Sequence, residues 1–263
     1  MRRSFLDRLG EKFKKKKEIA SQIIRNMTRL SVNINKVALI RNSRKGNFPD
    51  LVQVAKDCEA FGAQGITVHP RPDERHVRYA DIPALRQIVR TEFNIEGNPT
   101  PQFLDLVLKN PPAQCTLVPD SPSVLTSDQG WDTLSNESFL KDVIAQLHEK
   151  NIRVSIFVDP IEKFVEGAKR VGAERIEFYT GDYAKAFEDN PEVAVAPHRR
   201  CAQLANEIGL GVNAGHDLNL HNLQHYQEEV ENLLEVSIGH ALISDAIYFG
   251  LQNTIQLYLQ KLS

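Results

Sequence analysis

From residue 29 onward, short apolar and β-branched runs alternate with longer segments of helical periodicity. The runs are LSVNI (30–34), GITVH (65–69), FNIEG (93–97), QCTLVP (114–119), RVSIFVD (153–159), RIEFYT (175–180), LGVNAG (210–215) and EVSIGH (235–240). Most read as near-continuous apolar stretches, the mark of strands covered on both faces. Between them, DLVQVAKDCEAFGA (50–63) has Asp50 as N-cap and Gly62 as its stop. DIPALRQIVRTEF (81–93) carries Pro83 in its first turn, and TPQFLDLVLKN (100–110) pairs a Thr cap with Pro at the first helical position. Helical patterns continue over 136–151, 160–173, 195–210, 222–233 and 241–262. Eight β units, each followed by a helix, predict an α/β fold, a (β/α)8 TIM barrel over residues 29–263. A doubly wound open sheet is the alternative. It would usually show a Gly-rich phosphate turn after the first strand, and VNINKVALIRN has none.

A barrel of this kind gathers its active site at the C-terminal ends of the strands. Strand one delivers Asn33 and Asn35 there, and strand two delivers His69, with Arg71 and His76 beyond it. Strand three ends in Glu96, strand six carries Glu177, strand seven runs into Asn213 and His216, and strand eight ends in Gly239-His240. Strand four opens a long polar loop, 119–132. Each residue alone has an ordinary reading as a satisfied or solvated side chain. Seven strands delivering polar groups to one rim favour a site instead. Arg44, Arg71 and His76 are good phosphate or carboxylate binders. The stretches NAGHD and SIGHA put glycine beside polar residues, where backbone N–H groups can approach an anion. Two cationic regions imply two anionic groups, and His with Glu in one dry cavity suits proton shuttling.

Composition narrows the classes. The chain has 263 residues, 41% hydrophobic and 25% charged, and no apolar run approaches the roughly 20 residues of a membrane span. No apolar signal segment follows the basic N-terminus, so a cytoplasmic protein is expected. Residues 1–29 carry a net charge of +7 and the remainder −9. That basic stretch, with Lys14–Lys17 in a loose amphipathic pattern, has a membrane or nucleic-acid tail as one reading. The favoured reading is an unpacked extension over residues 1–28. No basic face is evident in the acidic body, so neither nucleic acid nor membrane is an expected partner. Cys58, Cys115 and Cys201 are far apart and form no CxxC, which fits core thiols in a reducing compartment. There is no HExxH or HxH; His221 and His225 are spaced i, i+4 but are expected on an exposed helix, so no metal is expected.

The segments VNIN, RNSRKGN, GITVHPRPDERH, NIEGNPT, LVPD, VNAGHDL and IGHALI, in this order on these strands, resemble the pyridoxine 5′-phosphate synthase family over about residues 29–260. The resemblance implies condensation of 3-amino-2-oxopropyl phosphate with 1-deoxy-D-xylulose 5-phosphate to pyridoxine 5′-phosphate, phosphate and water. It implies no metal or organic cofactor, and a homo-octamer. By motif position, Asn33, Arg44, Gly239 and His240 resemble the aminooxopropyl phosphate contacts. Asn35, Lys36, Arg71, His76 and Thr126 resemble the deoxyxylulose phosphate contacts. His69 and Glu96 resemble proton acceptors and His216 a proton donor. The chain departs from better-known members at Asn35-Lys36, where they have Asp-His. It departs also at Asp217, a glycine there, and at Tyr179, a histidine there. Two other classes stay open: another phosphosugar barrel enzyme of epimerase or aldolase type, with Lys36 the lysine near a strand end, and a barrel that only binds a phosphorylated ligand.

Overall fold

The computed structural model describes residues 28–120 and 127–263. Eight parallel strands close in sequence order into a barrel: β1 (Arg29–Asn33), β2 (Gly65–Val68), β3 (Glu92–Gly97), β4 (Gln114–Leu117), β5 (Arg153–Val158), β6 (Arg175–Phe178), β7 (Gly211–Gly215) and β8 (Leu233–Ile238). β8 pairs with β1 from Arg29↔Glu235 to Val32↔Ile238, which closes the ring. This is the expected (β/α)8 barrel. Of the basic extension expected over residues 1–28, residues 1–27 lie outside the described residues, and Thr28 is buried with its hydroxyl donating to the Leu233 carbonyl at 2.8 Å.

The strands alternate more strictly than their sequences suggested. Residues facing the helices are apolar, as in Val154, Ile156 and Val158 of β5 or Ile176 and Phe178 of β6, all fully buried. Their neighbours point into the barrel and are mostly polar, with Phe157 an apolar exception. Ser31 bonds Thr67 across β1 and β2 at 2.7 Å, and Thr116 donates to Asn94 at 3.1 Å. At the N-terminal end, Arg29, Arg153 and Arg175 converge on Glu92, with Glu235 3.9 Å from Arg175. The two-sided burial is therefore correct, but continuous apolarity is not. The hydrophobic core is a ring between sheet and helices, and the barrel interior holds mostly polar side chains, several of them hydrogen-bonded to one another, rather than the branched apolar layers usual in this fold.

The helices between strands are α1 (Asn35–Asn42), α2 (Leu51–Ala60), α3 (Asp81–Ile88), α4 (Pro101–Lys109), α5 (Glu137–His148), α6 (Glu162–Arg170), α7 (Gly181–Ala186), α8 (Pro191–Glu207), α9 (Leu223–Glu229), α10 (His240–Phe249) and α11 (Leu251–Lys261). Asp50 caps α2 by accepting from Val52 N at 2.9 Å, and Thr100 caps α4 by accepting from Phe103 N at 3.3 Å. Four local expectations needed correction, one of them at α7, which falls between the helices expected over 160–173 and 195–210. α1 follows β1 directly, anchored by buried Val37, Ala38 and Arg41, and was not read from sequence as a helix. α8 starts at Pro191 behind an Asn190 cap, four residues before the expected 195, and tolerates Pro197 within it. The single helix expected over 241–262 breaks at Gly250, whose φ of +76° and ψ of 150° suit glycine alone.

Candidate active site

A cavity of about 400 Å³ opens at the C-terminal ends of the strands. Its floor is built from inward-facing carboxylates. Glu96, near the end of β3, is half-buried and accepts from Asn33 Nδ2 at 3.5 Å. Glu177 on β6 is fully enclosed and aligned between Phe157 and Asn213 on its neighbouring strands. Burial pushes the Glu96 carboxyl up to about 8, with the negative charges of Asp120 and Glu235 adding to it and the positive charge of Arg71 opposing it. Glu177 is likewise held well above the usual carboxylate range by burial first and by the Glu96 charge second. Two carboxyls that resist ionising together can trade one proton with a bound substrate. Glu177 was noticed at its strand end but not counted among the site residues. Its signal was position alone: a lone carboxylate in RIEFYT that faces inward.

One wall comes from the loop after β2. His69 is buried, and its backbone N–H donates to Asn35 Oδ1 at 2.9 Å. Asn35 N in turn donates to Asn33 Oδ1 at 3.1 Å, so the end of β1 orients the end of β2. Burial lowers the His69 imidazole well below its ordinary value, helped by the positive charge of Arg71. His69 is therefore neutral at neutral pH and competent to accept a proton. A phosphate binding beside Arg71 would offset the Coulombic part of that shift. His76 is lowered to about 4, again mainly by burial and then by Arg71 and Lys36. Its Nδ1 accepts from Val77 N at 3.0 Å, so in the neutral ring the proton sits on Nε2, a donor for an anion. Arg71 is buried and ion-paired with Asp120, whose carboxylate also accepts from Ser127 Oγ at 2.6 Å.

The opposite wall carries His216 and Asp217 after β7, with Gly239 and His240 at the start of α10. His216 Nδ1 lies 2.7 Å from Asp217 Oδ2, and the Tyr179 ring meets the imidazole edge-on with centroids 5.9 Å apart. Two of the departures noted in the sequence, Asp217 and Tyr179, thus touch one histidine. Gly239 has a packing reason beyond backbone exposure, since a Cβ there would lie 3.1 Å from Asn33 side-chain atoms. At Gly215 a Cβ would lie 3.0 Å from Glu177 Oε1.

Of the residues singled out from sequence, His69, Glu96, His216, Asn33, Asn35, Lys36, Arg71, His76, Asp217, Gly239 and His240 all line this one cavity. Arg44 does not. It is exposed on the loop after α1, and the arginine buried nearby is Arg41, which does not line this cavity. Thr126 lies outside the described residues. Residues missed from sequence are Asp120 and Ser127, which hold Arg71, and Phe157 and Ser237 in the lining. Away from the cavity, Glu192, His225 and Glu229 bring possible ligand atoms within 4.8 Å of one another. Arg199 donates to both carboxylates, so a guanidinium already occupies that cluster. His221 precedes α9 and is exposed, whereas His225 on α9 is mostly covered, its side chain 23% exposed.

The profile of a family described as pyridoxal phosphate biosynthesis protein PdxJ matches residues 30–263. The chain belongs to the PdxJ family. Relatives named pyridoxine 5′-phosphate synthase include one from Christiangramia forsetii, 57% identical over 236 residues, 90% of this chain and 100% of the relative. One from Bacteroides thetaiotaomicron is 58% identical over 232 residues, 88% of this chain and 98% of the relative. Among solved structures, an orotidine 5′-monophosphate decarboxylase from Methanocaldococcus jannaschii superposes with a TM-score of 0.61 at 12% identity, covering 90% of this chain and 99% of that one. At that identity the likeness speaks for the barrel fold alone. The PdxJ match spans every cavity residue named above and all eight strands except Arg29, the first residue of β1.

Proposed function

We propose that this PdxJ-family enzyme is a pyridoxine 5′-phosphate synthase. It condenses 3-amino-2-oxopropyl phosphate with 1-deoxy-D-xylulose 5-phosphate, releasing pyridoxine 5′-phosphate, phosphate and water. The observation that carries this reading is the convergence of His69, Glu96 and His216 in one cavity rimmed by Arg71, His76 and Lys36. Ring closure needs imine formation, loss of water and phosphate, and a final deprotonation. Each step moves a proton, and one group cannot be acid and base at once. In this reading His69 accepts a proton, Glu96 accepts one in its ionised form, the minor form at neutral pH while its carboxyl is pushed up to about 8, and His216 donates one. Asn35, Lys36, Arg71, His76 and Thr126 hold the sugar phosphate. Asn33, Gly239 and His240 hold the amino ketone phosphate, and Arg44, exposed on the loop after α1 outside the cavity, joins them when that loop folds over the mouth. No cofactor enters the scheme.

The catalytic domain is residues 29–263, and residues 1–28 are an extension to it. Leu39 and Ile40 on α1 and Ile247, Tyr248 and Phe249 on α10 are exposed apolar residues on two helices packed side by side, which supports a homo-oligomer. A cytoplasmic setting fits phosphorylated substrates and three buried free thiols, with Cys58 pushed up to about 12 and Cys201 to about 11 by burial. Mixing both substrates with the protein should generate the absorbance of pyridoxine phosphate together with stoichiometric phosphate. Phosphate without the chromophore would defeat the reading. Lys36 lines the cavity, so a Schiff-base aldolase is the rival reading. Borohydride trapping of a substrate on Lys36 would favour it.

A further inference from the structure

His216 occupies the left-handed region, with φ of +53°. Side chains of adjacent residues in a strand point to opposite faces. The turn at His216 ends that alternation as the chain leaves β7 and lets two neighbouring side chains meet. The result is the 2.7 Å contact between His216 Nδ1 and Asp217 Oδ2. Asp217 is not a loose rim carboxylate. Its backbone N–H donates to Thr180 Oγ1 at 3.4 Å, and its carbonyl accepts from Asn219 Nδ2 at 3.2 Å and Asn222 Nδ2 at 3.4 Å. Tyr179 closes another side of the imidazole with its ring edge, at an interplanar angle of 64°.

We propose that Asp217 is a positioning residue for His216: its carboxylate accepts the Nδ1 proton, fixes that tautomer and aims the ring so that Nε2 is the nitrogen that exchanges a proton with substrate. An ionised carboxylate can only accept a hydrogen bond, so the pairing dictates which ring nitrogen carries the permanent proton. The hydrogen bond from His216 is the main cause holding the Asp217 carboxyl below its ordinary value, so it stays ionised at neutral pH. The inference deepens the proposed function, because it rests on His216 being the proton donor.

The test uses the full chain labelled with 15N-histidine, with the His216 signals assigned by their loss in His216→Gln. At a pH where the ring is neutral, the wild type should show the proton on Nδ1. Asp217→Asn offers an amide of the same shape that can donate to Nδ1, so the tautomer should shift to Nε2. The same variant should lose about 10²-fold or more in kcat, as a wrong tautomer does in other His–Asp pairs, with KM within about threefold. Asp217→Glu should recover part of the loss. The Asn219 and Asn222 contacts are to backbone, so both variants should keep the wild-type melting temperature. An Nε2 proton in the wild type, an unchanged tautomer in Asp217→Asn, or an unchanged kcat in that variant would each overturn the proposal. The tautomer is read without substrate. If the wild type made no pyridoxine phosphate yet carried the Nδ1 proton, the functional reading would fall and the pairing would stand.

Discussion

Arg41 Nη1 and Nη2 donate to the two carboxylate oxygens of Asp81 at 2.8 and 2.9 Å, and this pair fixes the wall of the cavity from outside it. Arg41 is only 1% exposed at the end of α1, and its Nη2 also donates to the carbonyl of His76 at 3.2 Å. Asn42 adds amide donations to the carbonyls of Glu74, Arg75 and His76 at 2.7–3.2 Å. The loop bearing Arg71 and His76 is therefore pinned to α1. Arg41→Ala should destabilise the protein by about 3 kcal/mol, since it strands a partly buried carboxylate and three carbonyl contacts lose their frame. Urea melts would read this. Because the pinned loop carries Arg71 and His76, the proposed phosphate contacts, KM for the sugar phosphate should rise more than kcat falls. A stable variant with unchanged KM would break the link between pin and site.

Arg71 should bind one phosphate rather than both. It sits on the β2 loop against Asp120, away from Gly239 and His240 at the head of α10. Losing a charge-assisted contact of about 1.5–3 kcal/mol corresponds to roughly 10–100-fold. Arg71→Ala should raise KM for the deoxyxylulose phosphate by that order and leave KM for the amino ketone within about threefold. Steady-state kinetics with each substrate varied in turn decides it, and equal effects on both would count against the assignment.

Most of the barrel was legible because its outward strand residues are apolar and its loops carry Pro, Gly and Asn where chain direction changes. Asp50, Gly62 and Thr100 did in the structure what their residue types promised. The catalytic candidates were legible for a geometric reason: a strand end in a barrel can only face one rim. α1 was not, because its buried face holds only Val37, Ala38 and Arg41, and an arginine there reads as solvent-facing. Arg41 and Arg44 could not be told apart from sequence. Both stand in RNSR, and only the Asp81 carboxylate, 40 residues on, selects Arg41 for burial. Asp120 acts through Arg71 on the loop after β2, and Glu177 sits between residues of neighbouring strands, and no local pattern encodes such distant partners.

Glu96→Gln should trade activity for stability. Losing a general base typically costs about 10²–10⁴ in rate, so kcat should fall at least about 10²-fold. The carboxyl titrates near 8 in the folded chain against an ordinary 4.5. Between those values the folded protein keeps a proton that the unfolded chain has lost. The contribution is full below 4.5 and lost as pH rises through 8. Glutamine removes that slope. The variant's melting temperature should gain on the wild type steadily from pH 5 to pH 8.5. A constant offset across this range would mean that Glu96 does not carry the raised titration.

His198 should set part of the acid limit of the fold. It is 2% exposed on α8, with Nδ1 2.9 Å from the Tyr226 hydroxyl and edge-on contacts to the rings of Phe178, Tyr183 and Tyr226. Phe178 lies on the outer face of β6, so this aromatic nest glues α8 and α9 to the strand that carries Glu177. Burial lowers the imidazole to about 4, and the Asp182 charge opposes this only in part. A depressed histidine gives stability that is whole above its unfolded value of 6.5 and is lost as pH falls through 4. The full loss from one such group is about 3 kcal/mol. His76 titrates in the same window, so the wild-type loss has more than one source. His198→Gln keeps an acceptor for Tyr226 and cannot gain a proton. Urea midpoints measured from pH 7 to pH 4 should therefore fall less steeply in the variant, although it starts lower at pH 7 because the ring contacts are gone. Parallel lines for variant and wild type would show that His198 does not charge on unfolding in this range.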